Sequence, residues 1–242
     1  MSRAESAASE RGAAVLVAIL IATLLAAMGA GLVALTTSET ALGASYRHVH
    51  EVSYGAEAGI ELALHDLATV PDWSAVLATP PANRTSVLTD ASSTPTLPDG
   101  RTIDLASLTR LRQRDSDARD GADLFGPDSP QWRLFAHVSL AAVFPAPRPF
   151  VPVYLVVWVA DDGLDGDGDP TVDANRILLI RSEAFGSGAA HRGVDVSVRR
   201  SAEGILHVLT WRADIWMRSF TRLHIGSMSG GSRPVSATIN RS

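Results

Sequence analysis

The residues best suited to chemistry in this sequence are aspartates between positions 161 and 175. This stretch reads DDGLDGDGDPTVDAN, and three of its aspartates alternate with other residues before a fourth follows. Carboxylate oxygens are the hard ligands that calcium prefers, and a calcium ion takes about six to eight of them. The spacing therefore predicts a candidate calcium site whose ligands are Asp165, Asp167, Asp169 and Asp173.

The acidic stretch departs from the EF-hand loop that it partly imitates. Counting from Asp165, the sixth position is Pro170 instead of glycine, and the twelfth is Arg176 instead of glutamate. A solvated acidic loop between two strands is the alternative explanation. If calcium does bind, we expect it to rigidify the loop and not to take part in catalysis.

Other residue types exclude most enzyme and cofactor chemistry. The chain has no cysteine, which excludes disulfides, thiolate metal sites and cysteine nucleophiles. Its seven histidines are scattered, and the sequence holds no zinc-protease, nucleophile-elbow, P-loop or dinucleotide-binding motif. We therefore expect no enzyme and no cofactor other than the calcium considered above. An anchored hydrolase built from residues distant in sequence remains an alternative.

The charged residues give no sign of nucleic-acid binding. The 21 basic residues are all arginine and are spread along the chain, and the net charge is −5. Nucleic-acid-binding domains instead concentrate basic residues on one face. We therefore expect no nucleic-acid partner.

The N-terminal region contains a long uncharged segment, from Gly12 to Ser38. As a helix, about 27 residues reach roughly 40 Å, which exceeds a hydrocarbon core of about 30 Å. We predict a transmembrane helix over 13–38, preceded by a short polar leader over 1–12. A cleaved secretory signal would have a shorter apolar run, and a buried core helix rarely lacks charge for so long.

The helical pattern continues beyond the uncharged segment. Over 39–68 an apolar face recurs at spacings of three and four, and Pro71 ends the pattern. That face consists of Val49, Val52, Ala56, Ile60, Ala63 and Leu67. We predict one helix of about 55 residues, whose second half is amphipathic and lies against a sheet.

The rest of the chain predicts a loop-rich region followed by strands. Residues 69–130 are punctuated by proline, glycine and serine, and the mixed-charge run over 110–128 is typical of a solvated loop. Over 131–213, β-branched and aromatic runs predict an antiparallel sheet, whereas 214–242 is an extension of uncertain structure. The strands are expected at 133–144, 151–159, 176–183, 192–200 and 204–212. The fold class is therefore α+β.

Three stretches resemble the type IV pilin superfamily, and within it the PilX-type minor pilins. RGAAVLV from Arg11 is similar to their leader junction, and YGAEAGIE from Tyr54 is similar to their alanine–glutamate segment. DGDP from Asp167, together with RSEAFG from Arg181, is similar to a β-hairpin region of the same group. The similarity is good over 10–68, patchy over 150–212 and absent from the middle of the chain.

The resemblance implies a processing site and a mode of assembly. A prepilin peptidase would cut after Gly12 and methylate the new amino terminus at Ala13, and the mature helix would pack among other pilin helices. The assembly residues would include Glu57 in the alanine–glutamate segment and Val17, which stands where the family has glutamate. That glutamate neutralises the amino terminus of a neighbouring subunit within lipid, where an unpaired charge is costly.

These observations predict a non-enzymatic minor pilin-like subunit that primes, caps or modifies a type IV pilus or a related secretion pseudopilus. Its partners would be other pilins or pseudopilins, the prepilin peptidase and the inner membrane. The N-terminus would be cytoplasmic and the C-terminal domain periplasmic or displayed on a surface pilus. The alternative is a membrane-anchored periplasmic or surface binding module, such as a calcium-stabilised adhesin, unrelated to filaments.

Overall fold

A computed structural model describes residues 3–78, 92–120, 125–143 and 152–215. Helix α1 spans Arg3–Thr69 and ends two residues before Pro71, as the sequence predicts. It begins earlier than position 13, because the leader is rich in alanine, glutamate and arginine and has no proline. The chain divides into two compact units, Met1–Arg47 and His48–Ser242.

The first unit consists, in its described part, of α1 alone. Every side chain from Val15 to Gly43 is exposed, including the large apolar ones. Five hydroxyl groups in this region donate to the carbonyl oxygen three or four residues earlier, as Thr36 does to Leu32 at 3.0 Å and Thr37 to Val33 at 2.8 Å. These hydroxyls are therefore satisfied within the helix itself.

The second unit contains a five-stranded antiparallel sheet whose strands follow chain order. Strand β1 spans Arg133–Ser139, β2 Tyr154–Asp161, β3 Ile177–Phe185, β4 His191–Arg200 and β5 Leu206–Ile215. Neighbouring strands pair directly, with bulges between Leu134 and Ala136 and between Ser197 and Val198. The predicted α+β class and antiparallel sheet are thus confirmed.

One face of this sheet is covered by the C-terminal part of α1. The predicted apolar face is confirmed at five positions, which are 0–1% exposed: Val52, Ala56, Ile60, Ala63 and Leu67. Two glycines permit the close approach. A Cβ on Gly55 would lie 2.7 Å from Val153, and one on Gly59 would collide with the Ser182 hydroxyl. Helix and sheet thus meet through small residues.

Alternate residues of β2 point to opposite faces of the sheet. Leu155, Val157 and Val159 belong to the core beneath α1. Tyr154, Val156 and Trp158 belong to a second apolar cluster with Leu97 and Leu105. Three further α-helices belong to the described part of the unit: α2 over Ser74–Ala78, α3 over Leu105–Asp120 and α4 over Leu140–Val143.

Helix α3 corrects the expectation that the mixed-charge run is a solvated loop. Asp104 caps its start by accepting hydrogen bonds from the backbone N–H groups of Ala106 and Ser107, both at 3.2 Å. Its inner face is held by Trp158, whose indole N–H donates to the Thr109 hydroxyl at 2.8 Å. The face mixes apolar and polar side chains, which is why hydrophobic periodicity does not reveal the helix.

The remaining predicted regions extend beyond the described residues. The loop-rich region 69–130 includes 79–91 and 121–124, and the C-terminal extension 214–242 includes 216–242; these parts lie outside the described residues.

Candidate functional site

The acidic segment lies at the end of β2 and in the loop to β3. Asp161 is the last residue of β2 and pairs with Leu178 of β3. The loop turns through Gly166 and Gly168, whose φ angles of 69° and 80° favour glycine. A turn carrying Asp128 packs on the loop, because Gly163 has no Cβ that would meet the Phe125 ring.

Two groups of carboxylates meet here and share Asp165. One oxygen each from Asp161, Asp162 and Asp165 lies within 4.8 Å of the others, and the same holds for Asp128, Asp165 and Asp167. Such separations suit a calcium ion, whose opposite ligands lie about 4.6–5.2 Å apart. The site is therefore capable of holding a hard divalent cation.

The predicted ligands Asp165, Asp167, Asp169 and Asp173 do not all meet in one cluster. Asp165 and Asp167 come together, whereas Asp169 is exposed and accepts from the Thr171 backbone N–H at 2.9 Å. Asp173 instead organises the start of β3, accepting from the backbone N–H groups of Arg176 at 2.7 Å and Ile177 at 3.2 Å.

Burial makes the ionised form of this group unfavourable. Asp161 is 1% exposed and Asp162 is 5% exposed. Burial, followed by the charge of Asp165 and its side-chain hydrogen bond with Asp161 and then by the charges of Asp173 and Asp162, raises the pKa of Asp161 to about 8. Burial also raises the pKa of Asp162, although its hydrogen bond from Asn175 opposes this rise. Protons or a bound cation would relieve the repulsion between these groups.

A second charged group lies between α3 and the sheet, and the sequence analysis missed it. Glu183 on β3 is fully buried and contacts Arg181, Arg112 and His191. The Arg181 Nε–Glu183 distance is 2.7 Å, and Arg181 also donates to both carboxylate oxygens of Asp195 at 2.7 Å. We call these five side chains the ion-pair cluster.

The ion-pair cluster stabilises the charged forms of Glu183 and Arg181, the two members whose pKa values are shifted. Burial alone would raise the pKa of Glu183, but the His191 hydrogen bond and the Arg181 and Arg112 charges outweigh it and lower the pKa to about 2. Burial opposes the charge on Arg181, yet Glu183 and Asp195 raise the pKa of that arginine further. The ion-pair cluster therefore joins α3 to the sheet through contacts between opposite charges.

The processing and assembly residues of the sequence analysis all lie on α1. Gly12 and Ala13 fall within the helix, and their side chains lie outside the described residues. Val17 is 57% exposed, and Glu57 is exposed beside the helix face that contacts the sheet. The structure therefore leaves both assembly residues accessible.

Within the part of the chain that the structure describes, one helix is long and apolar enough to cross a membrane. It covers Val15–Thr69 with a mean hydropathy of 2.5 in its most apolar window, none of which is buried. Length and composition thus permit a membrane anchor at this end of the chain.

Comparisons of the chain with protein-family models, with curated proteins and with solved structures find no match. The resemblance to minor pilins therefore depends on the residues quoted above.

Proposed function

We propose that this protein is a non-enzymatic minor pilin-like subunit, which primes, caps or modifies a type IV pilus or a related secretion pseudopilus. The observation that carries this proposal is the division of α1. Its segment from Val15 to Ser38 is uncharged and exposed, and its C-terminal part packs on an antiparallel sheet through Gly55, Ala56 and Gly59. A filament subunit needs one segment of its helix to contact lipid or neighbouring helices, and another segment to pack on its own globular domain.

The first part of α1 suits lipid and neighbouring helices. Its large apolar side chains are at least 50% exposed from Val15 to Leu35, and each Å² that they bury in an apolar environment contributes about 25 cal/mol. The hydroxyls of Thr23, Thr36 and Thr37 are already bonded to the helix backbone. Inserting this segment into lipid therefore leaves few polar groups unsatisfied.

Val17 indicates a special position in the assembly. A subunit with valine here carries no carboxylate to neutralise the amino terminus of the subunit ahead of it, and an unpaired charge in lipid is costly. A subunit at the tip has no subunit ahead of it, so valine costs nothing there. We therefore place the protein at the tip or among the initiating subunits, and not in the shaft.

The proposal also fixes a location and a set of partners. The leader stays in the cytoplasm, the helix crosses the bacterial inner membrane once, and the sheet domain lies in the periplasm until assembly. The prepilin peptidase cuts between Gly12 and Ala13 and methylates Ala13. Other pilins or pseudopilins then contact the helix, and Glu57 is available to them.

The deciding experiment determines the mature N-terminus. The full chain is purified from membranes of cells with and without the prepilin peptidase, and its intact mass and N-terminal sequence are measured. We expect methylated Ala13 as the first residue only when the peptidase is present. An uncut leader in both strains would contradict the proposal and leave the alternative, a membrane-anchored surface binding module.

A second experiment tests the role of Val17. Val17→Glu supplies the missing carboxylate, so we expect the variant to be incorporated along the filament more often than the wild type. Val17→Leu is the matched control and should behave as wild type. The measurement is the amount of tagged subunit in sheared filaments, relative to the amount in the membrane. Equal incorporation of all three proteins would contradict the assignment to the tip.

A further inference from the structure

The carboxylates at the end of β2 form a site that is independent of the filament proposal. Asp161, Asp162 and Asp165 each direct one oxygen into a space less than 4.8 Å across. Asp165 also belongs to a second group of carboxylates, with Asp128 and Asp167. A cluster of surface aspartates would not by itself indicate a ligand, because solvated acidic loops are common.

Burial without a partner distinguishes this cluster. The Oδ1 atoms of Asp161, Asp165 and Asp128 are buried and have no hydrogen-bond partner among the described residues. The other Asp165 oxygen accepts a long bond of 3.4 Å from the Ala174 backbone N–H. A buried carboxylate with no donor is costly, so its oxygen requires either a proton or a cation.

We propose that Asp161, Asp162 and Asp165 bind a calcium ion at the junction of β2 with the acidic loop. The described ligands are all carboxylate oxygens, which favour calcium or magnesium over softer metals that prefer nitrogen or sulfur. Calcium tolerates irregular geometry and a loop-borne ligand set, whereas magnesium demands a near-ideal octahedron and retains its waters. The site therefore takes calcium in preference to magnesium.

The ion would connect β2 with the acidic loop. Asp161 belongs to β2 and Asp165 to the following loop, and Asp165 also lies near Asp128 of the turn that packs on Gly163. The same loop reaches α2, where the backbone N–H of Asp173 donates to the Ser74 hydroxyl at 3.1 Å. Calcium at this point would hold the loop against the end of the sheet and stabilise the folded domain.

The test uses thermal unfolding of the full chain in detergent micelles at pH 7.5, with EDTA, with calcium or with magnesium. We expect calcium at about 100 times its Kd to raise the Tm by about 5–10 °C relative to EDTA. Magnesium at the same concentration should give less than half of that rise. Calorimetric titration of the EDTA-treated protein with calcium then measures the Kd and should give one ion per chain.

Three substitutions of equal size assign the site. Asp161→Asn and Asp165→Asn remove a proposed ligand, so each should abolish most of the calcium-dependent rise in Tm. Asp169→Asn is the matched control, because Asp169 lies in the same loop but in neither carboxylate group. It should keep the full rise. Asp161→Asn should also be more stable than the wild type in EDTA, because asparagine is neutral and needs neither a proton nor a cation at this buried position.

Several results would overturn the inference. A wild-type Tm equal in EDTA and calcium would mean that shared protons alone satisfy the carboxylates. A full calcium response in Asp161→Asn would place the ion elsewhere, and an equal response to magnesium would refute the assignment to calcium. None of these results bears on processing at Gly12, so this inference and the filament proposal succeed or fail separately.

Discussion

Two groups of buried carboxylates on the same sheet are stabilised in opposite ways. In the ion-pair cluster, Glu183 is surrounded by Arg181, Arg112 and His191. At the end of β2, Asp161 is surrounded by Asp162, Asp165 and Asp173. Both carboxylates are almost completely buried. Burial alone therefore does not decide whether a carboxylate is ionised, because the neighbouring charges do.

This difference in neighbouring charges distinguishes a cluster that stabilises the fold from a group that can bind protons or cations. The ion-pair cluster supplies its own countercharges, so it stabilises the contact between α3 and the sheet without a bound ion. Asp161, Asp162 and Asp165 form the β2 group. The charges that raise the pKa of Asp161 are those of neighbouring aspartates, so the free energy of this group depends on protons or cations. We infer that the second group responds to cations and to pH near neutrality, whereas the ion-pair cluster keeps its charges under those conditions.

The largest expected effect comes from removing the central carboxylate of the ion-pair cluster. Glu183→Gln leaves Arg181, which is 4% exposed, with one partner fewer, and breaking a buried pair costs about 3–5 kcal/mol. Urea unfolding of the full chain in micelles, followed by tryptophan fluorescence, measures the loss. Glu57→Gln on the exposed side of α1 is the control and should change stability by less than about 0.5 kcal/mol. Equal stability of the two variants would refute the structural role of Glu183.

Local patterns in the sequence predict the framework of the molecule well. Val52, Ala56 and Ile60 are buried as predicted, because a helical face depends only on spacing within one segment. The five strands are recognisable because β-branched and aromatic residues are concentrated in them. The acidic loop is also predicted as a calcium candidate from spacing within one segment, because Asp165 and Asp167 lie two positions apart.

Contacts between distant segments could not be predicted from such patterns. Arg181 and Asp195 meet because β3 and β4 pair in one register, and Arg112 reaches Glu183 from α3 across many intervening residues. A signal was nevertheless present. Arg181 and Glu183 lie two positions apart in β3, Asp195 lies between two valines in β4, and opposite charges on paired strands indicate a buried ionic contact. Asp128 joins the acidic group only through a turn packed by Phe125.

The second effect is a pH dependence of opposite sign in the two groups. The folded protein keeps a proton on Asp161 up to about pH 8, whereas an unfolded aspartate loses it near pH 3.8. In EDTA the free energy of unfolding should therefore fall as the pH rises, by about 2–3 kcal/mol between pH 5 and 7. The other groups that face Asp161, which are Asp162, Asp165 and Asp173, are acidic as well.

Glu183 gives the opposite slope at lower pH. Its folded pKa of about 2 lies below the ordinary value of 4.5, so its contribution is complete above pH 4.5 and is lost as the pH falls towards 2. Urea unfolding in EDTA at a series of pH values measures both slopes. Asp161→Asn should remove the slope between pH 5 and 7 and keep the acid loss. A wild-type slope retained in Asp161→Asn would show that other groups cause it.

The smallest effect tests whether a more exposed member of the ion-pair cluster contributes less to the free energy of unfolding than a buried one. Asp195 is 17% exposed, and its carboxylate accepts from Arg181 at 2.7 Å and lies 3.4 Å from Arg119. Asp195→Asn should cost only about 1–2 kcal/mol, because water can partly replace the lost contacts. Salt screens exposed charges more than buried ones, so this loss should shrink in 1 M NaCl while that of Glu183→Gln stays nearly constant. If both losses respond equally to salt, the cluster is uniformly solvated and the contrast with the β2 group is weaker than we infer.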